Sequence, residues 1–227
     1  MFNSDVLIFN MFYTAIMVDS MSLFEITMVI AGDNVNMKDE TGKTPLHYAC
    51  SRQRVSMVEM LVKNGADVNL ATKNGDTPLL VVCKRHDTTD CVGNITIERT
   101  VAVEWAMLTV KRATLLLNQG VNPNLFNRDE RTPLHYGIIC ANFNLVKVLL
   151  EKGANINILN NMGRTPLDFA WNRDISIFHE TDINIVSYLK EHGAKKSPRT
   201  IEDRMIESCL FFGDDTVQNL LKEHGAN

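Results

Sequence analysis

The chain has 227 residues, of which 45% are apolar and 22% are charged. This balance is typical of a folded chain with a buried core and excludes a wholly disordered one. The formal net charge of −4 argues against a protein that binds nucleic acid by general attraction to phosphates.

The N-terminal segment is strongly apolar. Residues 6–18 (VLIFNMFYTAIMV) contain only Asn10 and Thr14 as polar side chains. They lack the basic residues that open a signal peptide, and they are fewer than the roughly 20 needed to cross a bilayer. We expect residues 6–18 to form the first helix of a terminal helix pair, with a second helix from Ser22. The alternatives are a partner-binding or self-association surface, or a contact with a membrane surface.

The phrase Thr-Pro-Leu recurs four times, at intervals of 33, 55 and 33 residues, from Thr44, Thr77, Thr132 and Thr165. Threonine is a favoured helix N-cap, and proline is tolerated at the first helical position. Each phrase therefore predicts the start of a short helix, with its leucine pointing into the core.

A second phrase, rich in glycine and asparagine, runs out of phase with the first. Its glycines lie 33, 55, 33, 40 and 32 residues apart, at Gly32, Gly65, Gly120, Gly153, Gly193 and Gly225. Before two of them, stretches starting at Val55 and Phe143 carry apolar residues at helical spacing. Glycine commonly follows the end of a helix. Each repeat is therefore expected to contain two short antiparallel helices and a hairpin-like loop.

A 33-residue period with a Thr-Pro-Leu-His core resembles the ankyrin repeat, and the resemblance covers nearly the whole chain. It implies an all-α solenoid of about six stacked helix-turn-helix units joined by hairpin-like loops, in one domain. Stacking buries the apolar faces, and the terminal units cap the stack. The expected units are an N-terminal cap at 1–36, repeats at 37–69, 70–124, 125–157 and 158–197, and a C-terminal cap at 198–227. The resemblance also implies that His47 and His135 bond across to the next repeat.

Two insertions interrupt the period. The 55-residue interval holds 22 extra residues, at about 87–108 in the third unit, and the 40-residue interval holds 7 extra residues near 172–181. Residues 95–117 are expected to form one long helix with Trp105 on an apolar stripe. We expect the preceding loop to cover this helix and make Trp105 a core residue. The alternative is a projecting helix that presents Trp105 to a partner.

The five cysteines form no paired framework, which favours a reducing, cytoplasmic or otherwise intracellular location. Cys50 and Cys83 each lie six residues after their repeat threonine and are expected to fill equivalent small buried sites. Cys83, His86 and Cys91 come nearest to a metal site, but they lack the second half of a zinc motif. We therefore predict no metal, no cofactor and no catalytic residues.

Ankyrin arrays usually bind through hairpin tips and exposed positions of the first helix in each unit. Counted from each threonine, these positions hold nine basic and three acidic residues. The basic ones are Lys43, Arg52, Lys73, Lys84, Arg85, Arg128, Arg131, Arg164 and Arg173. A face of one sign speeds and selects encounter with an oppositely charged partner. The alternative is ordinary solvated charge. In the fourth unit, Glu130 replaces the hairpin glycine, so we expect that tip to bend differently.

The sequence thus predicts a non-enzymatic module that binds a partner protein, with an acidic surface as the favoured kind, and acts as adaptor, inhibitor or host-directed effector. One alternative is a membrane-surface protein that uses the apolar N-terminus and the basic face. Another is an enzyme with a degenerate metal site at Cys83, His86 and Cys91. Because the sequence stops within a hairpin phrase, we also consider that it belongs to a longer array.

Overall fold

The structure is a computed structural model, and it describes residues 4–84, 99–171 and 180–197. These residues form ten helices and no strand, which confirms the all-α prediction for this part of the chain. The chain divides into two compact units, Met1–Asn155 and Ile156–Asn227. The predicted C-terminal cap at 198–227 lies outside the described residues, and so does the insertion near 172–181 apart from Glu180 and Thr181 at the start of a helix.

The first compact unit contains four helix pairs joined by loops that include the hairpin tips. Their bounds are α1 Ser4–Met17, α2 Met21–Ala31, α3 Pro45–Ser51, α4 Val55–Lys63, α5 Pro78–Cys83, α6 Arg99–Asn118, α7 Pro133–Ile139 and α8 Phe143–Glu151. The first helices α1, α3, α5 and α7 each contact the next, and so do the second helices α4, α6 and α8. The pairs therefore stack side by side, so each pair helps to bury its neighbour's apolar face.

In the second compact unit, α9 (Pro166–Trp171) packs against α10 (Glu180–Glu191). The loop after α10 is tied back to the loop that precedes α9. The side-chain amide of Asn157 donates to the Gly193 carbonyl at 3.2 Å, and its oxygen accepts from the Lys195 amide at 2.7 Å. One asparagine thus closes this helix pair.

The Thr-Pro-Leu phrases begin the first helices as predicted. Thr77 Oγ1 accepts from the Leu80 amide at 3.3 Å, so the threonine side chain caps α5. The leucines of the four phrases are at most 2% exposed, namely Leu46, Leu79, Leu134 and Leu167. Burying a leucine side chain contributes about 2 kcal/mol, so these positions anchor the stacked core.

Asparagines in the loops connect successive helix pairs in the first compact unit. The side-chain amide of Asn36 donates to the Gly65 carbonyl at 3.1 Å, and its side-chain oxygen accepts from the Asp67 backbone amide at 2.8 Å. One pair later, Asn69 Oδ1 accepts from the Asn122 amide at 3.1 Å. These bonds cross from one pair to the next and set their separation.

The N-terminal helix pair forms as predicted. Phe12, Ala15 and Ile16 of α1 are buried, and the rings of Phe12 and Phe24 meet edge to face at 5.4 Å. Much of the opposite surface of this pair is apolar and exposed. The outer surface of this helix pair is therefore less polar than that of a usual capping unit.

The inserted helix α6 has 20 residues, whereas α4 and α8 have nine each. It begins at Arg99; residues 87–98, which include the loop expected to cover it, lie outside the described residues. Trp105 is 38% exposed. The expectation that Trp105 is a core residue is therefore wrong, because the ring keeps more than a third of its surface in contact with solvent.

Arg112 fixes α6 on the preceding helix pair. Its side chain is 4% exposed, and its guanidinium donates to the Cys50 carbonyl at the end of α3. On the other side, the side-chain amide of Asn142 donates to the Ala106 carbonyl of α6 at 3.3 Å. The helix is thus held by bonds to the pairs before and after it.

Candidate partner-binding surface

Four hairpin tips, at 39–43, 72–76, 127–131 and 160–164, share one local design. In the first, Asp39 Oδ1 accepts from the amides of Thr41 and Lys43, each at 2.8 Å. Side-chain oxygens of Thr72, Asn127 and Asn160 accept from the corresponding amides of the other tips. Each turn is therefore closed by its own first residue, which is a usual role of Asp, Asn and Thr in loops.

The three tips of the first compact unit form a continuous row. The Lys73 amide donates to the Thr41 carbonyl at 2.9 Å, and the Arg128 amide donates to the Asn74 carbonyl at 3.0 Å. A Cβ at Gly75 would lie 3.0 Å from Asn127 Cα, which is too close for an ordinary contact. Glycine therefore allows the backbones of neighbouring tips to approach closely.

The tip with Glu130 keeps the same turn. The Glu130 amide donates to the Asn127 carbonyl at 2.8 Å, as the Gly75 amide does to the Thr72 carbonyl at 2.9 Å. Glu130 adopts φ of 53°, in the left-handed region where glycine is favoured. The expectation of a different bend is therefore wrong, because the glutamate adopts the left-handed conformation itself.

His47 joins the start of α3 to the following tip. The Thr44 amide donates to His47 Nδ1 at 3.1 Å, so Nδ1 carries no proton. The other ring nitrogen, Nε2, then donates to the Asp76 carbonyl at 3.0 Å. Burial lowers the pKa of His47 to about 4, although the bond to Asp76 opposes this. The predicted bond to the next repeat is confirmed at His47. The bond that Nδ1 accepts from Thr44 requires the neutral ring.

The predicted basic residues divide into three groups. Those with exposed side chains are Lys43, Arg52, Lys73 and Arg128. Those that are half-buried are Lys84, Arg131 and Arg164, the last of which belongs to the second compact unit. Arg85 and Arg173 lie outside the described residues. The row of tips brings Lys73 and Arg128 onto consecutive hairpins, and Lys43 lies on the tip before them.

Two of the lysines lie over tyrosine rings, a feature that the sequence reasoning missed. Lys43 Nζ is 5.4 Å from the centre of the Tyr48 ring, and Lys84 Nζ is 5.5 Å from that of Tyr136. Such cation–π contacts hold a flexible lysine in place. Both tyrosines follow the histidine of a Thr-Pro-Leu-His phrase, so the shared Tyr was the available signal.

Asp39 and Tyr48 link the first tip to α3. The Tyr48 hydroxyl donates to Asp39 Oδ2 at 2.7 Å. Burial would raise the pKa of the Asp39 carboxyl, but hydrogen bonds from Tyr48, Thr41 and Lys43 outweigh it and lower the pKa. Burial, followed by the bond to Asp39, raises the pKa of Tyr48. The tip therefore holds an ionised carboxylate against a neutral phenol.

Acidic side chains reduce the basic excess. Lys84 forms an ion pair with Asp76. Exposed carboxylates also occur on the tips, and they belong to Glu40, Asp129 and Glu130. Asp39 and Glu130 lie at positions left out of the sequence-based count. With them, the three tips of the first compact unit, together with Arg52 and Lys84, hold six basic side chains against five acidic ones. The face remains basic, but less so than the sequence suggested.

Cys50 and Cys83 are buried rather than reactive. Cys50 and Cys83 are at most 2% exposed and form no disulfide, as expected for equivalent core sites. Burial raises the pKa of the Cys50 thiol to about 12, and it raises that of Cys83 as well. Metal ligation needs a thiolate, so this burial disfavours Cys83 as a ligand. Its suggested partners His86 and Cys91 lie outside the described residues, and within the described ones no three metal-binding side chains cluster.

A family model described as ankyrin repeats (3 copies) matches residues 12–95 and 102–200. No curated protein matches the chain. Among the helices that the structure describes, none is long and apolar enough to span a bilayer.

Proposed function

Because the chain belongs to the ankyrin repeat family, we propose that it is a non-enzymatic module that binds an acidic surface of a partner protein through its hairpin tips and first helices. In this proposal it acts as an adaptor, a competitive inhibitor or a host-directed effector. The observation that carries the proposal is the row of backbone-linked tips that places Lys73 and Arg128 on consecutive hairpins.

The rigidity of the row supports recognition. The tips are closed by their own side chains and linked to one another, so little conformational freedom is lost on binding. Lys43 is further restrained over Tyr48. A partner would therefore meet tip backbones that are already in place, with the Lys43 charge restrained as well.

The exposed basic residues would act mainly on the rate of encounter. Positive charge on a surface attracts an acidic partner over about a Debye length, roughly 10 Å at 0.1 M salt. The exposed residues Lys43, Arg52, Lys73 and Arg128 would carry this attraction. Lys84 would contribute less, because Asp76 already neutralises it.

The test begins with capture of the partner from a lysate and its identification by mass spectrometry. The variant Lys43→Glu, Lys73→Glu, Arg128→Glu is then compared with the native chain. We expect about tenfold slower association at low salt, with the difference shrinking as salt is added.

The matched control places the same charge change on the second helices and the loop after them, as Lys63→Glu, Lys147→Glu, Lys152→Glu. These lysines are also exposed. We expect little change in the association rate. Equal slowing by both variants would show that overall charge matters, and it would contradict binding through the tips.

A further inference from the structure

The outer surface of the N-terminal helix pair carries a cluster of exposed apolar side chains. Five of them are between 53% and 83% exposed and are called here the N-terminal apolar face: Val6 and Leu7 of α1 with Ile26, Val29 and Ile30 of α2. Clustered apolar exposure of this kind marks interaction surfaces, whereas single exposed apolar residues are ordinary.

The five residues lie at one end of the helix pair. The Asn34 side-chain amide donates to Asp5 Oδ1 at 3.1 Å, which brings the start of α1 beside the loop that follows α2. Val6 and Leu7 follow Asp5, and Val29 and Ile30 lie in the last turn of α2. Ile26 precedes Ile30 by one helical turn, so the α2 residues form a stripe.

The opposite side of α2 faces the core. Phe24, Thr27 and Ala31 are buried, at a spacing that puts them on one face of the helix. The apolar stripe is therefore additional to the residues that hold the helix pair in the stack. The exposed side chains of the stripe do not take part in that packing.

The charged side chains that this helix pair and the loop after it contribute, within residues 1–36, are all acidic. Residues 1–36 contain four acidic side chains and no Lys, Arg or His. One of the four, Asp19, is paired with Arg54 at 2.7 Å. The other three flank the apolar residues: Asp5 precedes Val6, Glu25 lies one turn before Val29, and Asp33 follows the end of α2.

We propose that the N-terminal apolar face binds an amphipathic helix of a partner protein, one whose apolar stripe is flanked by Lys or Arg. The face is built from two helices, the kind of surface against which helices pack in the rest of this compact unit. Apolar side chains of the partner helix fill the stripe, and its basic flanks meet the acidic rim. This surface and this partner are distinct from the basic tips and their acidic partner.

The acidic rim disfavours two other occupants. A second copy bound face to face would place like charges opposite one another. A membrane surface rich in anionic lipids would be repelled rather than attracted. A basic helix satisfies both the apolar stripe and the charge.

The proposal is tested with two synthetic helical peptides of about 18 residues, long enough to form a helix. One has leucine at helical spacing with lysine flanks, and the other has the same leucines with glutamate flanks. Fluorescence anisotropy should show binding of the leucine–lysine peptide and about tenfold weaker binding of the leucine–glutamate peptide. Failure of the leucine–lysine peptide to bind, or equal binding of both, would overturn the proposal.

The double variant Val29→Ser, Ile30→Ser should weaken binding of the leucine–lysine peptide about tenfold. Because both side chains are exposed, we expect the variant to melt at the same temperature as the native chain. A thermal melt therefore checks that the variant is folded. Phe126→Ser is the control, because Phe126 is also exposed and lies on a hairpin far along the chain. Equal weakening by the control would mean nonspecific adsorption and would overturn the proposal.

Glu25→Lys is a second variant that leaves the apolar stripe intact. It should weaken binding of the leucine–lysine peptide and strengthen binding of the leucine–glutamate peptide. Sedimentation of the native chain and co-sedimentation with phosphatidylserine vesicles complete the test. A dimer or a vesicle complex that the Val29→Ser, Ile30→Ser variant abolishes would assign the face to that occupant and overturn the proposal.

Discussion

The Asp168 carboxylate accepts a hydrogen bond from the Ser197 amide at 3.1 Å, 29 residues farther along the chain. His47 reaches the Asp76 carbonyl across the same number of residues, but there the side chain donates. The two repeats therefore use the same position with opposite hydrogen-bond polarity. This explains why the fourth residue of the last Thr-Pro-Leu phrase is Asp rather than His.

Asp168→Ala should destabilise the second compact unit by about 2–3 kcal/mol, because the buried amides of Ser197 and Thr165 lose their acceptor. Asp168→Asn keeps one acceptor oxygen and should cost less, about 1 kcal/mol. Hydrogen exchange at the Ser197 amide measures the effect locally. Equal exchange rates in the native chain and the alanine variant would contradict this role.

The stability of the first compact unit should fall in mild acid because of His47. Its pKa is about 4 in the folded chain, below the ordinary value of 6.5, so between these values the unfolded chain binds the proton more readily. The contribution of His47 to the free energy of unfolding is therefore fully present above about pH 6.5 and is lost as pH falls toward 4. By about pH 5 the loss from His47 should reach about 2 kcal/mol.

Urea denaturation at about pH 7.5 and about pH 5 measures this loss. His47→Gln is the control, since glutamine can accept from Thr44 and donate toward Asp76 without titrating in this range. The variant should show a smaller difference between the two pH values. An unchanged pH dependence would assign the acid sensitivity to other groups.

Sequence periodicity predicted the backbone of this structure well, because threonine caps, prolines and glycines act locally. It placed the starts of α4 and α8 at Val55 and Phe143, where the structure has them. It could not predict Arg112. Counted back from the repeat glycines, Arg112 lies where α4 has Met57 and α8 has Leu145, both buried apolar residues. Only the fold reveals a buried guanidinium bound to a carbonyl of the previous pair.

The candidate surface was harder to predict than the fold. Counting positions identified Lys73 and Arg128, but exposure and pairing depend on neighbours that are distant in sequence. Lys84 is a weaker candidate for partner binding because Asp76 pairs with it, and Arg131 is weaker because it is half-buried. Such contacts arise from side-chain reach across repeats, which spacing alone does not specify.

Glu130→Gly should stabilise the first compact unit by about 0.5–1 kcal/mol. Glu130 has φ of 53°, where glycine lacks the steric cost of a Cβ. The matched substitution Gly75→Ala should destabilise by about 1–3 kcal/mol, because φ there is 77° and the new Cβ would lie 3.0 Å from Asn127. Denaturant titration of both variants checks the opposite signs, and destabilisation by Glu130→Gly would show that the glutamate side chain stabilises its tip.

Trp105→Ala should lower stability by only about 1–2 kcal/mol, less than the 3–5 kcal/mol typical of a buried aromatic residue, because the ring is 38% exposed. If the inserted helix contacts the partner, the same change should weaken binding by about 2 kcal/mol. A thermal melt and a titration with the captured partner measure the two effects. Met107→Ala, on roughly the opposite side of α6, serves as control, and equal effects of both substitutions on binding would argue against a specific role for Trp105.

The loop asparagines make the separation of helix pairs independent of the length of chain between them. Asn36 reaches the Asp67 amide 31 residues away, whereas Asn69 makes the equivalent bond 53 residues away, across the whole insertion. The same loop bond therefore forms with and without the insertion, and we expect it to tolerate segments of other lengths between α5 and the part of α6 that begins at Ala106. Changes of binding preference can then arise at this one place while the rest of the array stays as it is.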